Sequence, residues 1–198
     1  MIYLYGAGGH AKVIADILEL NGSVLAGYFD DDPEKKIWDY KGFSFPDSFD
    51  VLEDELLISI GNNATRKKIA EKIQARYHTA IHPFAVVSPH SIVGEGTVIM
   101  AGAMINPDSV IGKHCIINSN AVVDHECVIG DYAHISPNAT LCGDVTIGAG
   151  AHIGAGAVII QGKKIGAGSV IGAGTVVIND LPDNIVAVGN PARVIKSN

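Results

Sequence analysis

The sequence predicts a small Rossmann-like α/β domain in residues 1–80, followed by a parallel β-helix in residues 81–198. Two observations support this division. Residues 86–181 divide into sixteen six-residue blocks without an insertion, from VVSPHS to VVINDL, and such a repeat is typical of a solenoid. Residues 1–80 instead alternate short apolar runs with amphipathic helical patterns, as α/β folds do.

Each six-residue block has an aliphatic second residue and, in most blocks, a small sixth residue. This period suits a short strand and a corner, with both side chains pointing inward. Three blocks close a triangular coil, and coils stack about 4.8 Å apart, the spacing of paired strands. Seven blocks have glycine at the third position, where we expect it to provide a positive φ for the corner. The aliphatic second positions are Val87, Val93, Ile99, Ile105, Ile111, Ile117, Val123, Ile129, Ile135, Leu141, Ile147, Ile153, Ile159, Ile165, Ile171 and Val177.

The N-terminal residues predict the element order β-α-β-β-α, which fits a small parallel sheet. The strands are MIYLY, VLAGYFD and LLISIG, and residues 33–50 form an irregular polar stretch before the third strand. The turn GAGGH places backbone N–H groups at a helix N-terminus, the usual arrangement for a phosphate. Because 80 residues supply only half of a dinucleotide-binding fold, we expect a mononucleotide or a nucleotide sugar. The alternative is that these glycines only tighten the turn.

Composition excludes several classes of function. The formal net charge of −7 argues against a nucleic-acid partner, which needs a clustered basic face. No apolar run approaches the roughly 18 residues of a membrane span, and the N-terminus lacks the features of a signal peptide. The three cysteines form no CxxC pair, so neither a disulfide framework nor a metal site is expected. We therefore expect a cytoplasmic protein.

The segments YGAGGHAKVIADIL, YFDDD, ISIGNNATRKKIA and VVDHECVIGDYAHIS resemble the hexapeptide-repeat sugar acyltransferases of the sialic acid O-acetyltransferase type. Within that group the chain is most similar to the enzymes that N-acetylate UDP-4-amino sugars in bacillosamine-type biosynthesis. The resemblance spans essentially the whole chain. It implies a left-handed β-helix, acetyl-CoA as co-substrate, and a homotrimer whose cofactor groove lies between adjacent prisms.

Register and resemblance agree on three catalytic residues. Acyl transfer from a thioester needs a base and a donor for the oxyanion, and His125 is placed to project from a corner beside Asp124 and Glu126. Gly143 lies one coil later, where its backbone N–H is open to a ligand. The resemblance independently implies His125 as the base, Glu126 as its modulating carboxylate and Gly143 as the backbone donor.

The resemblance also implies two sets of binding residues. His134 and His152 lie one coil apart and should stack on one outward face. The alternative is that both are ordinary solvated or interface histidines, and we favour it for His152. The contacts implied for acetyl-CoA are His134, Gly143, Ala155 and Ala173. The contacts implied for the nucleotide sugar are Gly8, Gly9, His10, Asp30, Asp31, Gly61 and Asn62.

These residues predict an acetyl-CoA-dependent N-acetyltransferase that acts on the amine of a nucleotide-linked 4-amino sugar. Three alternatives stay open. They are an O-acetyltransferase acting on sialic acid or a related sugar, a zinc carbonic anhydrase, and a non-catalytic sugar-nucleotide binding protein. The sequence does not separate UDP, GDP and dTDP carriers, and the 33–50 stretch is a candidate for that specificity.

Overall fold

The computed structural model describes residues 1–45 and 54–197 of the 198. The N-terminal domain has a five-stranded parallel sheet in the order β3-β2-β1-β4-β5, which confirms the predicted Rossmann-like arrangement. Its elements are β1 Ile2–Tyr5, α1 Gly9–Leu20, β2 Leu25–Phe29, β3 Gly42–Phe43, β4 Glu55–Ile58, α2 Asn63–Lys72 and β5 Arg76–Tyr77.

Two strands of this sheet were not predicted. Strand β3 pairs with β2 inside the stretch expected to be irregular, so that expectation is wrong at Gly42–Phe43. Strand β5 extends the opposite edge of the sheet. Each has only two residues, too few to show a period in the sequence. Residues 46–50 of the predicted irregular stretch lie outside the described residues.

The second unit is a parallel β-solenoid in which the first two residues of every block form a strand. From Ala80 to Ile159, each strand pairs with the strand eighteen residues later, for example Met104 with Val122, as three blocks per coil require. The left-handedness of the β-helix remains a prediction that is based on the resemblance. The strands are β6 Ala80–Ile81, β7 Val86–Val87, β8 Ile92–Val93, β9 Val98–Ile99, β10 Met104–Ile105, β11 Val110–Ile111, β12 Ile116–Ile117, β13 Val122–Val123, β14 Val128–Ile129, β15 His134–Ile135, β16 Thr140–Leu141, β17 Thr146–Ile147, β18 His152–Ile153, β19 Val158–Ile159, β20 Lys164–Ile165, β21 Val170–Ile171, β22 Val176–Val177, β23 Ile185–Val188 and β24 Arg193–Ser197.

Three sheets form the walls of the prism. Sheet S1 contains β6, β9, β12, β15, β18 and β21 and is extended by β23 and the antiparallel β24. Sheet S2 contains β7, β10, β13, β16, β19 and β22, and sheet S3 contains β8, β11, β14, β17 and β20. The chain runs from S1 to S2 to S3 in each coil. Side chains from the second and sixth block positions fill the interior, as predicted.

The third-position glycines do not provide the positive φ that we expected. Left-handed backbone occurs at the fifth position instead, for example at Asn138 with φ 58° and Gly156 with φ 66°. A third-position glycine is needed because the next coil passes very close to it. A Cβ on Gly154 would lie 2.6 Å from the backbone nitrogen of Ala173, nearer than real Cβ contacts come.

The N-terminal domain packs on the outer face of S1. Helix α1 turns its apolar stripe toward the junction, where Ile14 and Leu18 share one buried cluster with Val98 and Ile116 of S1. The amide of Asn21, at the end of α1, also donates to the carbonyl of Ile81 at 2.9 Å. Among the described residues, no helix has both the length and the apolar character that crossing a bilayer requires.

We expect Gly154→Ala to destabilise the solenoid by about 1–3 kcal/mol, because the new methyl group overpacks against the next coil. Its control in the same block is Gly156→Asn. Position 156 already has the φ that Asn138 adopts one coil earlier, and a Cβ there meets nothing within 4 Å. Thermal unfolding of both variants measures the difference. Equal melting temperatures would contradict this explanation of the third-position glycines.

Candidate active site

His125 and Glu126 form a hydrogen-bonded pair at the corner between S2 and S3. Nδ1 of His125 lies 2.9 Å from Oε2 of Glu126. Glu126 occupies the fifth block position with φ 61°. In this left-handed conformation its carboxylate lies beside the imidazole of the preceding residue, His125. Nδ1–H of a neutral His125 donates to the carboxylate, so its Nε2 is left with a free lone pair. The His125 side chain is 57% exposed, which leaves Nε2 open to a substrate.

The carboxylates around His125 raise its pKa above the ordinary value. The hydrogen bond to Glu126 is the largest cause, and the negative charges of Asp124 and Asp144 act in the same direction. Asp124 is itself fixed, because its Oδ1 accepts from Asn106 at 2.7 Å and from the backbone N–H of His125 at 2.9 Å. His125 is therefore an oriented imidazole with increased basicity.

Gly143 lies against the His125 ring, one coil later. A Cβ at position 143 would come within 2.6 Å of His125 Nε2, so only glycine leaves this imidazole in place. The Gly143 carbonyl accepts from Gly162 at 2.9 Å, whereas no described residue accepts its N–H. A backbone donor without a partner beside a basic imidazole suits an acyl oxyanion.

His134 and His152 stack on the outer face of S1, as register predicted. Their ring centroids are 4.7 Å apart. Asn118 Oδ1 accepts from the N–H of Ser119, so Nδ2 of Asn118 donates to Nε2 of His134 at 3.0 Å. Nδ1 then holds the proton of His134, and this buried atom has no hydrogen-bond partner among the described residues. Burial, followed by the influence of His152, lowers the pKa of His134 to about 3, so the ring is neutral.

The residues expected to contact acetyl-CoA lie at more than one corner. Gly143 is at the S2–S3 corner with His125, whereas Ala155 and Ala173 follow strands of S1 and precede strands of S2. Within one chain the structure does not bring these two corners together. Within the described residues, no three His, Cys, Asp or Glu side chains are grouped to hold a metal ion.

The glycine-rich turn after β1 has open backbone donors. Gly8 is the N-cap of α1, and no described residue accepts the N–H groups of Gly8, Gly9 or His10. A Cβ on Gly8, Gly9 or Gly61 would meet nothing within 4 Å, so packing within the chain does not require these glycines. Burial and the charge of Arg66 lower the pKa of His10 to about 4, which keeps its ring neutral.

Asp30 holds this turn in place. Its carboxylate accepts from the N–H of Ala7 at 2.7 Å and from the N–H of Asp32 at 2.9 Å, and it pairs with Lys35 at 3.2 Å. Burial tends to raise the pKa of Asp30, but these donors outweigh burial and lower it below the usual value. Asp30 is thus engaged within the chain, whereas Asp31 is exposed at the same strand end.

Predicted substrate residues line clefts on either side of α2. A cleft of about 500 Å³ at the carboxyl ends of β1, β2 and β4, the strand-end cleft, is lined in part by Asp30 and Asp31. A second cleft of about 580 Å³, the junction cleft, lies between α2 and the solenoid and is lined in part by Gly61, Asn62 and His152. Gly8, Gly9 and His10 line neither cleft. Helix α2 separates the two.

Sequence reasoning missed Arg66, Asn63 and Asn118. Arg66 is the residue that α2 buries, although an arginine in an amphipathic helix normally points to solvent. Asn63 donates to the solenoid carbonyl of Gly150 at 3.0 Å. The only signal for Asn118 is its position next to His134 across neighbouring coils. This neighbour relation can be predicted once the eighteen-residue pairing of the coils is known.

Comparison with family models and known proteins agrees with both units of the fold. Residues 1–73 match the PglD N-terminal domain, and residues 90–125 and 126–161 match the bacterial transferase hexapeptide family (six repeats). UDP-N-acetylbacillosamine N-acetyltransferase of Bacillus subtilis (strain 168) is 44% identical over 111 residues. That match covers 50% of this chain and only 51% of the Bacillus protein.

Solved structures match over nearly the whole chain. PerB from Caulobacter crescentus, in complex with CoA and GDP-perosamine, is 39% identical with a TM-score of 0.90, and the match covers 98% of this chain and 97% of PerB. The acetyltransferase domain of PglB from Neisseria gonorrhoeae FA1090 is 34% identical with a TM-score of 0.93, and the match covers 98% of both chains. The chain belongs to the hexapeptide-repeat sugar N-acetyltransferases that carry a PglD-type N-terminal domain.

Proposed function

We propose that this protein transfers the acetyl group of acetyl-CoA to the amine of a nucleotide-linked 4-amino sugar. The observation that carries the proposal is the His125–Glu126 pair, 2.9 Å apart, seated against a glycine whose N–H has no acceptor among the described residues. This arrangement supplies a base and an oxyanion donor together, which acyl transfer requires.

In the proposed reaction, Nε2 of neutral His125 removes a proton from the amine as its nitrogen attacks the thioester carbonyl carbon. The carbonyl oxygen becomes an oxyanion, which the N–H of Gly143 stabilises. Glu126 stabilises the imidazolium that forms. The C–S bond then breaks, the imidazolium returns its proton to the sulfur of CoA, and the amide remains on the sugar.

The N-terminal domain is the proposed site of the nucleotide. Gly8 and Gly9 offer backbone N–H groups at the start of α1, and the space beside them is open. PerB in complex with GDP-perosamine and the Bacillus UDP-N-acetylbacillosamine enzyme support a nucleotide-linked amino sugar as the substrate. Asp31, Gly61 and Asn62 are further proposed contacts. Asp30 contributes by holding the turn.

We also propose that the site is completed between copies in a homotrimer. The N-terminal domain sits on S1, and the S2–S3 corner that carries His125 is the one corner that does not adjoin S1. A second copy can bring Ala155 and Ala173 next to Gly143. The outer faces of S2 and S3 expose apolar side chains, among them Val86 at 60% and Ile92 at 64%, which suit burial in an interface. A cytoplasmic location is consistent with three free cysteines.

We expect His125→Ala to lower kcat by about 10²–10⁴-fold, because the reaction loses its general base. CoA-thiol release from acetyl-CoA is measured against UDP-, GDP- and dTDP-linked 4-amino sugars and free sialic acid. One amino sugar should respond and should identify the carrier. A response to sialic acid alone would move the activity to O-acetylation. Near-normal turnover by the variant would remove His125 as the base.

We expect Glu126→Gln to shift the acidic limb of the kcat–pH profile toward lower pH and to reduce kcat at the plateau. The base acts in its neutral form, and Glu126 raises the pKa of His125, so loss of the carboxylate lowers the pH at which His125 protonates. Glu34→Gln, which removes an exposed carboxylate from the N-terminal domain, is the control. An unmoved acidic limb would contradict the role of Glu126.

We expect complementation between two inactive variants if the site is shared. Gly9→Asp places a carboxylate at the glycine-rich turn after β1, where it should repel the phosphates of the substrate. Because an acidic residue suits the first turn of a helix, this variant should still fold and bind CoA. Co-expressed with His125→Ala, it should recover about a quarter of wild-type activity, since half of the N-terminal domains and half of the bases are intact in a random assembly. Recovery no greater than the sum of the two separate variants would place both components in one chain.

A further inference from the structure

Arg66 is a buried cation at the junction of the two units. It lies in the first turn of α2 and is 1% exposed. Its guanidinium donates in two directions. On the N-terminal side it binds the carbonyls of Ile60 at 3.0 Å and Gly61 at 3.2 Å. On the solenoid side it binds the carbonyls of His114 and Tyr132, each at 2.8 Å.

Asn63 completes the same contact. Arg66 donates to Oδ1 of Asn63 at 2.8 Å, which directs Nδ2 of Asn63 to the carbonyl of Gly150 at 3.0 Å. His114, Tyr132 and Gly150 are successive residues of one column at the S3–S1 corner, eighteen residues apart. The Arg66–Asn63 pair therefore binds the same corner carbonyl in three consecutive coils. We call this set of contacts the junction clamp.

The acceptors of Arg66 are all neutral. None of the ion pairs among the described residues includes Arg66, so carbonyls and one amide are its hydrogen-bond acceptors. Burial lowers the pKa of Arg66 to about 10, and the group stays charged at neutral pH. A buried charge without a counter-charge is costly, and apolar residues of similar volume often stabilise a fold as well or better. Stability alone therefore does not account for this arginine.

The clamp holds the turn that leads into α2, the helix that separates the two clefts. Ile60 lines the strand-end cleft, and Gly61 lines the junction cleft. Their carbonyls are fixed by one side chain that is also bonded to the solenoid, the frame that carries His125. Any tilt of the N-terminal domain on S1 must break some of these bonds.

We propose that Arg66 is a positioning residue, which fixes the turn of Ile60 and Gly61 against the solenoid and so sets where a nucleotide sugar presents its amine. This inference rests on the function proposed above. The planar guanidinium binds both sides at once in a fixed geometry, whereas the single ammonium group of lysine supplies the charge without that geometry.

The test compares Arg66→Lys and Arg66→Met with the control Lys12→Met, which removes an exposed cation from α1. Sites are counted by CoA binding, kcat is expressed per site, and KM is measured for both substrates. We expect kcat per site to fall about 10–100-fold in both Arg66 variants, because a small misplacement of the amine is enough for such a loss. KM for acetyl-CoA should stay unchanged, and lysine should not restore kcat.

The number of CoA-binding sites and the kcat per site together distinguish a positioning role of Arg66 from a merely structural one. A variant that only unfolds in part loses CoA-binding sites but keeps the wild-type kcat per site, and that result would overturn the proposal. Recovery of kcat by Arg66→Lys would also overturn it, since charge alone would then suffice. If neither Arg66 variant folds, Asn63→Ala tests the same clamp and should lower kcat per site about 3–10-fold.

The wild-type protein distinguishes this inference from the proposed function. No turnover with any amino sugar would reject the proposed function and, with it, a positioning role in that reaction. Turnover by the wild type, together with an unimpaired kcat per site in Arg66→Lys and Arg66→Met, would reject the positioning role alone.

Discussion

The parallel pairing of strands that lie eighteen residues apart determines where every functional group of the solenoid lies. Each strand pairs in register with the strand of the next coil, as Ile116 pairs with His134 and His134 with His152. A residue's block position therefore fixes the corner or face that it occupies, and its neighbours are the residues one coil away. His125 meets Gly143 for this reason, and the same constraint aligns the corner carbonyls that the junction clamp binds.

Much of the solenoid could be predicted because inward and outward positions place different demands on residue type. An aliphatic residue at the second position of all sixteen blocks fits only a six-residue repeat. The first two residues of these predicted blocks coincide with strands β7 to β22. The neighbour relations of His125 with Gly143 and of His134 with His152 follow from arithmetic once that register is known. Sequence reasoning placed the Rossmann-like sheet correctly as well, because β1, β2 and β4 are long enough to show their pattern.

The remaining features depend on contacts that have no local pattern. Glycine at the third position reflects the approach of the next coil, whereas the sequence suggested a local turn requirement. From the sequence, Arg66 would be assigned to the exposed face of an amphipathic helix, because the solenoid carbonyls that it binds are distant in the chain. Asp30 matches a ligand-binding position, but its carboxylate is already bound to the turn of Ala7. In each case the partner is distant in sequence, so only the folded chain reveals the interaction.

The structure uses histidine in two opposite electrostatic settings. At the S2–S3 corner His125 is exposed among carboxylates, and its pKa is raised, which favours a base. At the domain junction His10, His134 and His152 are half-buried, and both this burial and the nearby charge of Arg66 lower their pKa values. These rings stay neutral and offer hydrogen bonds without adding charge. The charge of Arg66 adds to burial in lowering these pKa values, so the residue that fixes the junction also favours neutral imidazoles around it.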